Sequence, residues 1–419
     1  MARALRPVRG THDLFGDDKR RFDHIVVTAR SIAAAYGYAP MATPTFEFTE
    51  VFRRTLGETS DIVTKEMYTF ASGSGEEVTL RPEGTAPVAR ALVSGGRLQV
   101  LPARLFYDGP MFRRERPQKG RMRQFHQVGI ELIGEPSPVG DVEVIAAGAR
   151  LLKELDLADS VVLRLHTLGN SASRDRYRSA LVGYLDQRRE GLSADSRRRL
   201  DRNPLRVLDS KAPEDRQVAN EAPRLLDFLD RESADFFAAV RHHLDALGIS
   251  YEIDPMLVRG LDYYMHTTFE FVTDRLGAQG AVLAGGRYDG LTERMGGPAL
   301  AGTGWAAGIE RLALLTGDAL PAATRPVLVA CISAAATAQA LLCAETLRNM
   351  GLATELALQG SLKRQLRHAD RIGARAAVLL GDRELEAGLA LVRDLDTGQQ
   401  SEVPFALLPN HLSEISSNG

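Results

Sequence analysis

The chain of 419 residues reads as a mixed α/β (α+β) protein. A large domain on a mixed, mostly antiparallel sheet is interrupted by a helical insertion and followed by a small C-terminal α/β domain. Three observations predict this. Two apolar segments flank a basic loop at 113–123, the pattern of antiparallel strands around a long turn. From 170 to 247 the chain is highly charged, helical in pattern and poor in strand signals. After a Pro/Ala-rich stretch at 320–326, strand and helix patterns alternate, which implies a parallel sheet. The expected divisions are 1–169, 170–247, 248–320 and 326–419.

The first element is a helix over 19–36, with Phe22, Ile25, Val26, Ala29, Ile32, Ala33 and Tyr36 on one face. Gly37 ends it, and an extended segment through Pro40, Pro44 and Phe46-Glu47-Phe48 follows. Met67-Tyr68-Thr69-Phe70 and Glu77-Val78-Thr79-Leu80 form an expected strand pair. The central hairpin runs in through Leu105-Phe106-Tyr107 and returns through Gln124 to Glu131. A helix near 141–155 carries Val144, Ile145, Leu151 and Leu152. Beyond the insertion, strands are expected at 251–253, 263–272 and 281–283. Ala284-Gly285-Gly286-Arg287-Tyr288-Asp289-Gly290 reads as a flexible turn, and a helix is expected to begin near Trp305 and run through Leu315. In the last domain the expected order is strand 327–332, helix 336–350, strand 353–358, helix 361–372 and strand 376–380.

Bulk properties narrow the class. A formal net charge of −2 confines any nucleic-acid surface to a local patch. Cys331 and Cys343 are the only cysteines, too few for a disulfide framework or a thiolate zinc site, so a reducing, cytoplasmic setting is expected. No run approaches membrane-spanning length, and no P-loop, His-Glu-x-x-His or paired Cys/His spacing occurs. A protein-built metal centre is therefore not expected. Gly302-Thr303-Gly304-Trp305-Ala306-Ala307 fits a loose dinucleotide pattern but lacks the preceding strand and following acid.

Six of the eleven residues at 113–123 are basic: Arg113, Arg114, Arg116, Lys119, Arg121 and Arg123. Only Glu115 opposes them, so a phosphate-bearing partner is the natural complement, because guanidinium forks match its oxygens. Arg81-Pro82-Glu83-Gly84-Thr85 taken alone is a capped turn with Glu83 in water. It gains weight because Gln127 and Glu131 lie four residues apart, on one face of the return strand. Such a polar face makes a poor core and a good pocket for a small cation. Arg259-Gly260-Leu261-Asp262-Tyr263-Tyr264 adds an arginine followed by glycine at the mouth of a sheet, and Gly304-Trp305-Ala306-Ala307-Gly308-Ile309-Glu310-Arg311 a Gly-rich entry to a helix bearing one arginine. Isolated, Arg311 is a surface charge, and two tyrosines at a strand start are packing residues.

Together these segments resemble the class II aminoacyl-tRNA synthetases, in particular their histidine-specific branch. Motif 1 corresponds to 36–52 with Pro44, motif 2 to 112–131 and motif 3 to 304–312 with Arg311. Leu257-Val258-Arg259-Gly260-Leu261-Asp262-Tyr263-Tyr264 and Ala284-Gly285-Gly286-Arg287-Tyr288-Asp289 resemble the two segments that mark the histidine branch. The likeness covers nearly the whole chain, and the class I signatures are absent. It implies a class II synthetase-like catalytic domain and a terminal anticodon-binding domain. It also implies ATP-dependent activation of L-histidine, with transfer to the 3′ end of tRNA-His. Under it, Arg259 and Arg113 are the catalytic pair at the α-phosphate. Glu83, Thr85 and Gln127 hold the α-amino group; Glu131 and Tyr264 read the imidazole, with Tyr263 and Tyr288 lining its pocket. Phe125 stacks on adenine, Glu115 meets its amino group, and Arg311 with Arg121 meets the γ-phosphate. Arg116, Gln118 and Lys119 approach the tRNA acceptor end, and Ser361-Leu362-Lys363-Arg364-Gln365 opens an anticodon-domain helix. The inserted helices either clamp the acceptor stem or merely pack. Mg²⁺ arrives with ATP, and motif 1 implies a homodimer. The alternative on this fold is a catalytically inactive regulatory subunit of ATP phosphoribosyltransferase. Such paralogues generally lack the terminal domain and erode the arginines, whereas Arg113, Arg259 and Arg311 are present here.

Overall fold

The computed structural model describes residues 5–417 except 58–59, 74, 119, 209, 211, 258–262, 278–279, 318–319 and 358–359. The chain divides into two compact units, Met1–Leu320 and Pro321–Gly419.

In the first unit the strands are β1 (Ala39–Met41), β2 (Phe46–Phe48), β3 (Tyr68–Ala71), β4 (Glu77–Leu80), β5 (Ala103–Phe112), β6 (Gln124–Ile133), β7 (Val162–Thr167), β8 (Glu252–Ile253), β9 (Met265–Val272), β10 (Ala281–Arg287) and β11 (Gly302–Gly308). Eight of them form one sheet in the order β1-β5-β6-β11-β10-β9-β7-β8. The six central strands pair antiparallel, and parallel pairs occur only where β1 and β8 join as edges. The central hairpin pairs Phe112 with Gln124 and runs without a break to Ala103 opposite Ile133.

Alternation along β6 decides what each face does. Val128, Ile130 and Leu132 join the core beneath the sheet, where the helices Gly16–Ala35, Pro138–Glu154 and Arg231–Ala246 supply Ile25, Ala29, Val144, Ile145, Val240 and Leu244. Each of the buried Val, Leu and Ile side chains among these contributes about 1.5–3 kcal/mol of burial free energy. Gln127, Gly129 and Glu131 point to the opposite face. Among the helices at 171–246, Arg231–Ala246 packs on Pro138–Glu154, while Tyr177, Leu181, Leu200 and Val207 belong to a second core with Phe52, Leu92 and Tyr264.

Three expectations need correction. Residues 302–308 form the strand β11 between β6 and β10, and the helix begins only at Ile309. Glycine is a poor strand former, so the pattern read as a helix entry. These glycines are needed because a Cβ at Gly304 would overlap the Glu131 carboxylate, and one at Gly302 the Tyr288 ring. The segment read as a flexible turn at 284–290 is strand through Arg287. Arg287 is fully buried and pairs with buried Asp141 at 2.9 Å, donating also to the carbonyls of Glu135 and Ser137. The strand expected at 263–272 is β9, which starts at Met265.

β2, β4 and β3 form a separate three-stranded sheet. Phe46 and Phe48 of β2 and Phe70 of β3 share one of its faces, by their register with Leu80 and Val78, and all three are about half exposed.

The second unit contains β12 (Val327–Cys331), β13 (Thr354–Ala357), β14 (Ala376–Leu380), β15 (Leu389–Asp394) and β16 (Gln400–Pro404) in the order β13-β12-β14-β15-β16. The first three are parallel, as expected; β15 and β16 add an antiparallel hairpin and make the sheet mixed. In the helix Leu362–Arg371, Gln365 is buried and donates to the carbonyls of Cys331 and Gly360, so it serves the fold. Lys363, Arg364, Arg367 and Arg371 are exposed.

Candidate active site

The open face of the large sheet forms the floor of a cavity of about 1430 Å³. Glu83, Thr85, Gln127, Tyr263 and Tyr264 line it, and so do Arg113, Glu115, Arg121, Phe125 and Arg311. Arg199, Arg206 and Arg216 reach it from the helical segment.

The first group is a buried polar cluster. Glu83 stands at the start of the helix Thr85–Ser94, where its carboxylate accepts from the N–H groups of Thr85 at 2.7 Å and Ala86 at 2.9 Å. That is the favourable end of the helix dipole for an anion. Thr85 donates its hydroxyl to Glu131 at 2.6 Å, and Tyr288 donates to the other carboxylate oxygen. Glu131 and Tyr288 lie behind the cavity lining rather than on it. Burial pushes the Glu131 carboxyl up to about 8, against the opposing pull of the Thr85 and Tyr288 hydrogen bonds. Burial also raises Glu83, with its two backbone bonds and Arg113 acting the other way. The Tyr107 ring fits between Gly84 and Gly129, where any Cβ would collide with it. Tyr263 packs on Tyr264 with centroids 4.7 Å apart and edge-on to Tyr288 at 5.8 Å. The Gln127 side-chain oxygen is buried without a hydrogen-bond partner in a residue that lines the cavity, which leaves an acceptor available there.

The second group is basic. Arg113 donates Nε to the Pro82 carbonyl at 2.9 Å, and its guanidinium lies 5.3 Å from the Phe125 ring centre. Glu115 lies 2.7 Å from Arg121 and 3.9 Å from Arg113. Arg311 donates to the carbonyls of Ala281 at 2.7 Å and Gly120 at 3.1 Å, and so holds the basic loop against the sheet. Its pKa is held down, first by burial and then by Arg121 and Arg113. Two flexible ion-paired cations, one anchored cation and an aromatic face suit a nucleotide phosphate chain and its base.

Arg116 and Gln118 are exposed beyond the cavity lining, with Gln118 in a turn with Arg121. Lys119 and Arg259 lie outside the described residues. Sequence reasoning passed over Glu310. Its carboxylate accepts the His126 N–H at 2.9 Å and faces the His126 ring nitrogen at 2.8 Å, tying the start of β6 to the helix that carries Arg311. Its place beside Arg311 was visible, but its partner, 184 positions away, was not. Among the described residues, no group of three or more His, Cys, Asp or Glu side chains is arranged to hold a metal ion. No helix there is long and apolar enough to cross a membrane.

Comparison with known proteins gives the lineage. The family model for histidyl-tRNA synthetase matches residues 10–312, and that for an anticodon binding domain matches 326–415. A histidine–tRNA ligase of Rhodospirillum rubrum is 54% identical over 412 residues, covering 98% of this chain and 99% of its own. That of Gluconacetobacter diazotrophicus is 54% identical over 413 residues, covering 99% of each. The apo histidyl-tRNA synthetase of S. aureus superposes with a TM-score of 0.81 at 33% identity, over 97% of this chain and 99% of its own. With both units matched and the cavity built from the same segments that carried the resemblance, the chain belongs to the histidyl-tRNA synthetase family.

Proposed function

We infer that the chain, as a histidine–tRNA ligase, activates L-histidine with ATP in the cavity of its first unit and transfers it to the 3′ end of tRNA-His. The observation that carries this is the meeting of a buried carboxylate cluster and a set of arginines in one cavity. Glu83, Thr85 and the partnerless oxygen of Gln127 hold the α-ammonium group; Glu131, supported by Tyr288, reads the imidazole with Tyr264, beside Tyr263. Phe125 stacks on adenine, and Glu115 contacts its amino group on exchanging Arg121 for ligand. Arg113 and Arg259 meet the α-phosphate; Arg121 and Arg311 meet the γ-phosphate.

The chemistry is an in-line attack of the histidine carboxylate on the α-phosphorus, with pyrophosphate leaving. Little proton transfer is needed, so the protein acts by positioning and by stabilising charge on phosphoryl oxygens. Mg²⁺ enters as part of the ATP substrate. A pocket that pairs both ring nitrogens leaves polar groups unmatched with any analogue lacking them, which supports discrimination of roughly 10⁴–10⁵.

The second unit binds the anticodon, supported by its family match and by the exposed basic side chains of the helix Leu362–Arg371. Arg116, Gln118 and Lys119 approach the acceptor end. A homodimer through motif 1 is supported by Phe46, Phe48 and Phe70, half exposed on one small sheet. The setting is cytoplasmic. The regulatory-subunit alternative has no observation in its favour, since the terminal unit and all described arginines of the site are in place. Truncation at Pro326 tests the division of labour: histidyl-adenylate formation persists while charging of tRNA-His falls severely. Undiminished charging by the truncated protein contradicts an anticodon role for the second unit.

A further inference from the structure

Glu83 and Glu131 are both buried, and one residue joins them. Thr85 gives its N–H to Glu83 at 2.7 Å and its hydroxyl to Glu131 at 2.6 Å. Their compensation differs. Glu83 takes two backbone N–H groups at a helix start and feels the charge of Arg113. Glu131 takes its hydrogen bonds from hydroxyls, those of Thr85 and Tyr288, with the Tyr107 hydroxyl lowering its pKa in the same way. Other groups that act on it are the Glu83 carboxylate and the phenols of Tyr263 and, more distantly, Tyr38. On the β11 side its carboxylate lies against Gly304. Among the described residues, the groups that act most strongly on Glu131 are hydroxyls and the Glu83 carboxylate, and none of these brings a positive charge. Two like charges one threonine apart disfavour double ionisation, and Glu131 is the less compensated of the two.

A protonated Glu131 has a donor to place, and both hydroxyls beside it already donate toward it. The histidine ring carries an acceptor nitrogen that titrates close to neutrality, at about 6.5. We propose that Glu131 and the imidazole of bound histidine share a single proton, so that the complex forms as a one-proton unit whichever partner brings it. This rests on the histidine–tRNA ligase reading and on the ring reaching Glu131 past Thr85 and Gly304, which line the cavity in front of it.

The consequence is a proton balance that changes sign. Below the ring's pKa both partners arrive protonated, and one proton leaves on binding. Between that value and about 8, where burial holds the carboxyl, Glu131 supplies the proton and none is exchanged. Above about 8 neither partner brings it, and one is taken up. Histidine affinity is therefore highest in the window between the two values and falls on either side.

The test is calorimetric titration of the full-length protein with L-histidine, near pH 5.5, 7.5 and 8.5, each in two buffers of different ionisation heat. Release of about one proton, exchange of about none and uptake of most of one are expected in that order. The ligand's α-ammonium group begins to titrate at the alkaline end, so Glu131→Gln is the reference, and its uptake there falls to the ammonium's share alone. Tyr288→Phe removes a donor to the ionised carboxylate and moves the alkaline edge to higher pH. This second variant serves if the first binds too weakly. With 2-fluorohistidine, whose ring is far less basic, the release near pH 5.5 disappears while the alkaline edge stays. Uptake of about one proton already near pH 7.5 overturns the proposal, as do identical proton counts for histidine and its fluorinated analogue. Histidine-dependent ATP–pyrophosphate exchange in the same preparation separates the two levels. Its absence defeats the ligase reading, whereas exchange with a pH-independent proton count defeats only the shared proton.

Discussion

On the side of the cavity lined by Arg113, Glu115, Arg121 and Arg311, cations are partly hydrated and already matched to Glu115 or to carbonyls. On the side of Glu83, Thr85 and Glu131, two carboxylates are buried among amides, hydroxyls and phenols. Under the proposed function, the difference follows from what each side meets. A triphosphate brings several negative charges and a large hydration shell, so cations that exchange one partner for another lose little when it leaves. An amino acid brings one ammonium group and a small ring, and selecting it requires acceptors fixed before it arrives.

Substitutions separate the two sides. Arg113→Ala, with Arg259→Ala in parallel, is expected to have the largest effect, a loss of about 10²–10³ or more in adenylate formation, because charge on the α-phosphoryl group is unbalanced in the transition state. The protein should keep the wild-type sedimentation and thermal melting. Adenylation close to wild type in either variant would remove that residue from the role given to it.

Gly304→Ala acts on the opposite side. A Cβ at this position overlaps the Glu131 carboxylate. The KM for histidine is expected to rise by at least about tenfold, equivalent to roughly 1.4 kcal/mol, with little change in the KM for ATP. Equal rises in both constants would show that the two sides are not separable.

Arg121→Ala is the mildest. Its partner Glu115 is only 11% exposed, but Arg121 itself is 38% exposed, so the ion pair is partly screened. An increase of about threefold in the KM for ATP, with histidine unaffected, is the expected result. A change confined to histidine would reverse the assignment of the two sides.

The sequence carried the site unevenly. Alternation along one strand was enough to put Gln127 and Glu131 on a common polar face, and β6 has them there. The bond from Thr85 to Glu131 spans 46 positions, and no local pattern announces it. β11 was misread because its glycines argue against a strand, and their reason is the bulk of Glu131 and Tyr288 across the sheet. The hairpin of β15 and β16 was missed although its turn is well marked: the Asp394 side chain accepts the N–H groups of Asp396 and Thr397 just before Gly398. The parallel strands β12 and β14 were legible because both are continuous apolar runs buried on two faces.

In the proposed function one cavity activates histidine and no other amino acid. ATP–pyrophosphate exchange by the purified protein, measured with each of the twenty amino acids in turn, tests it most directly. Exchange with histidine alone is the predicted result. Exchange with none of them, or equally with several, would contradict the account.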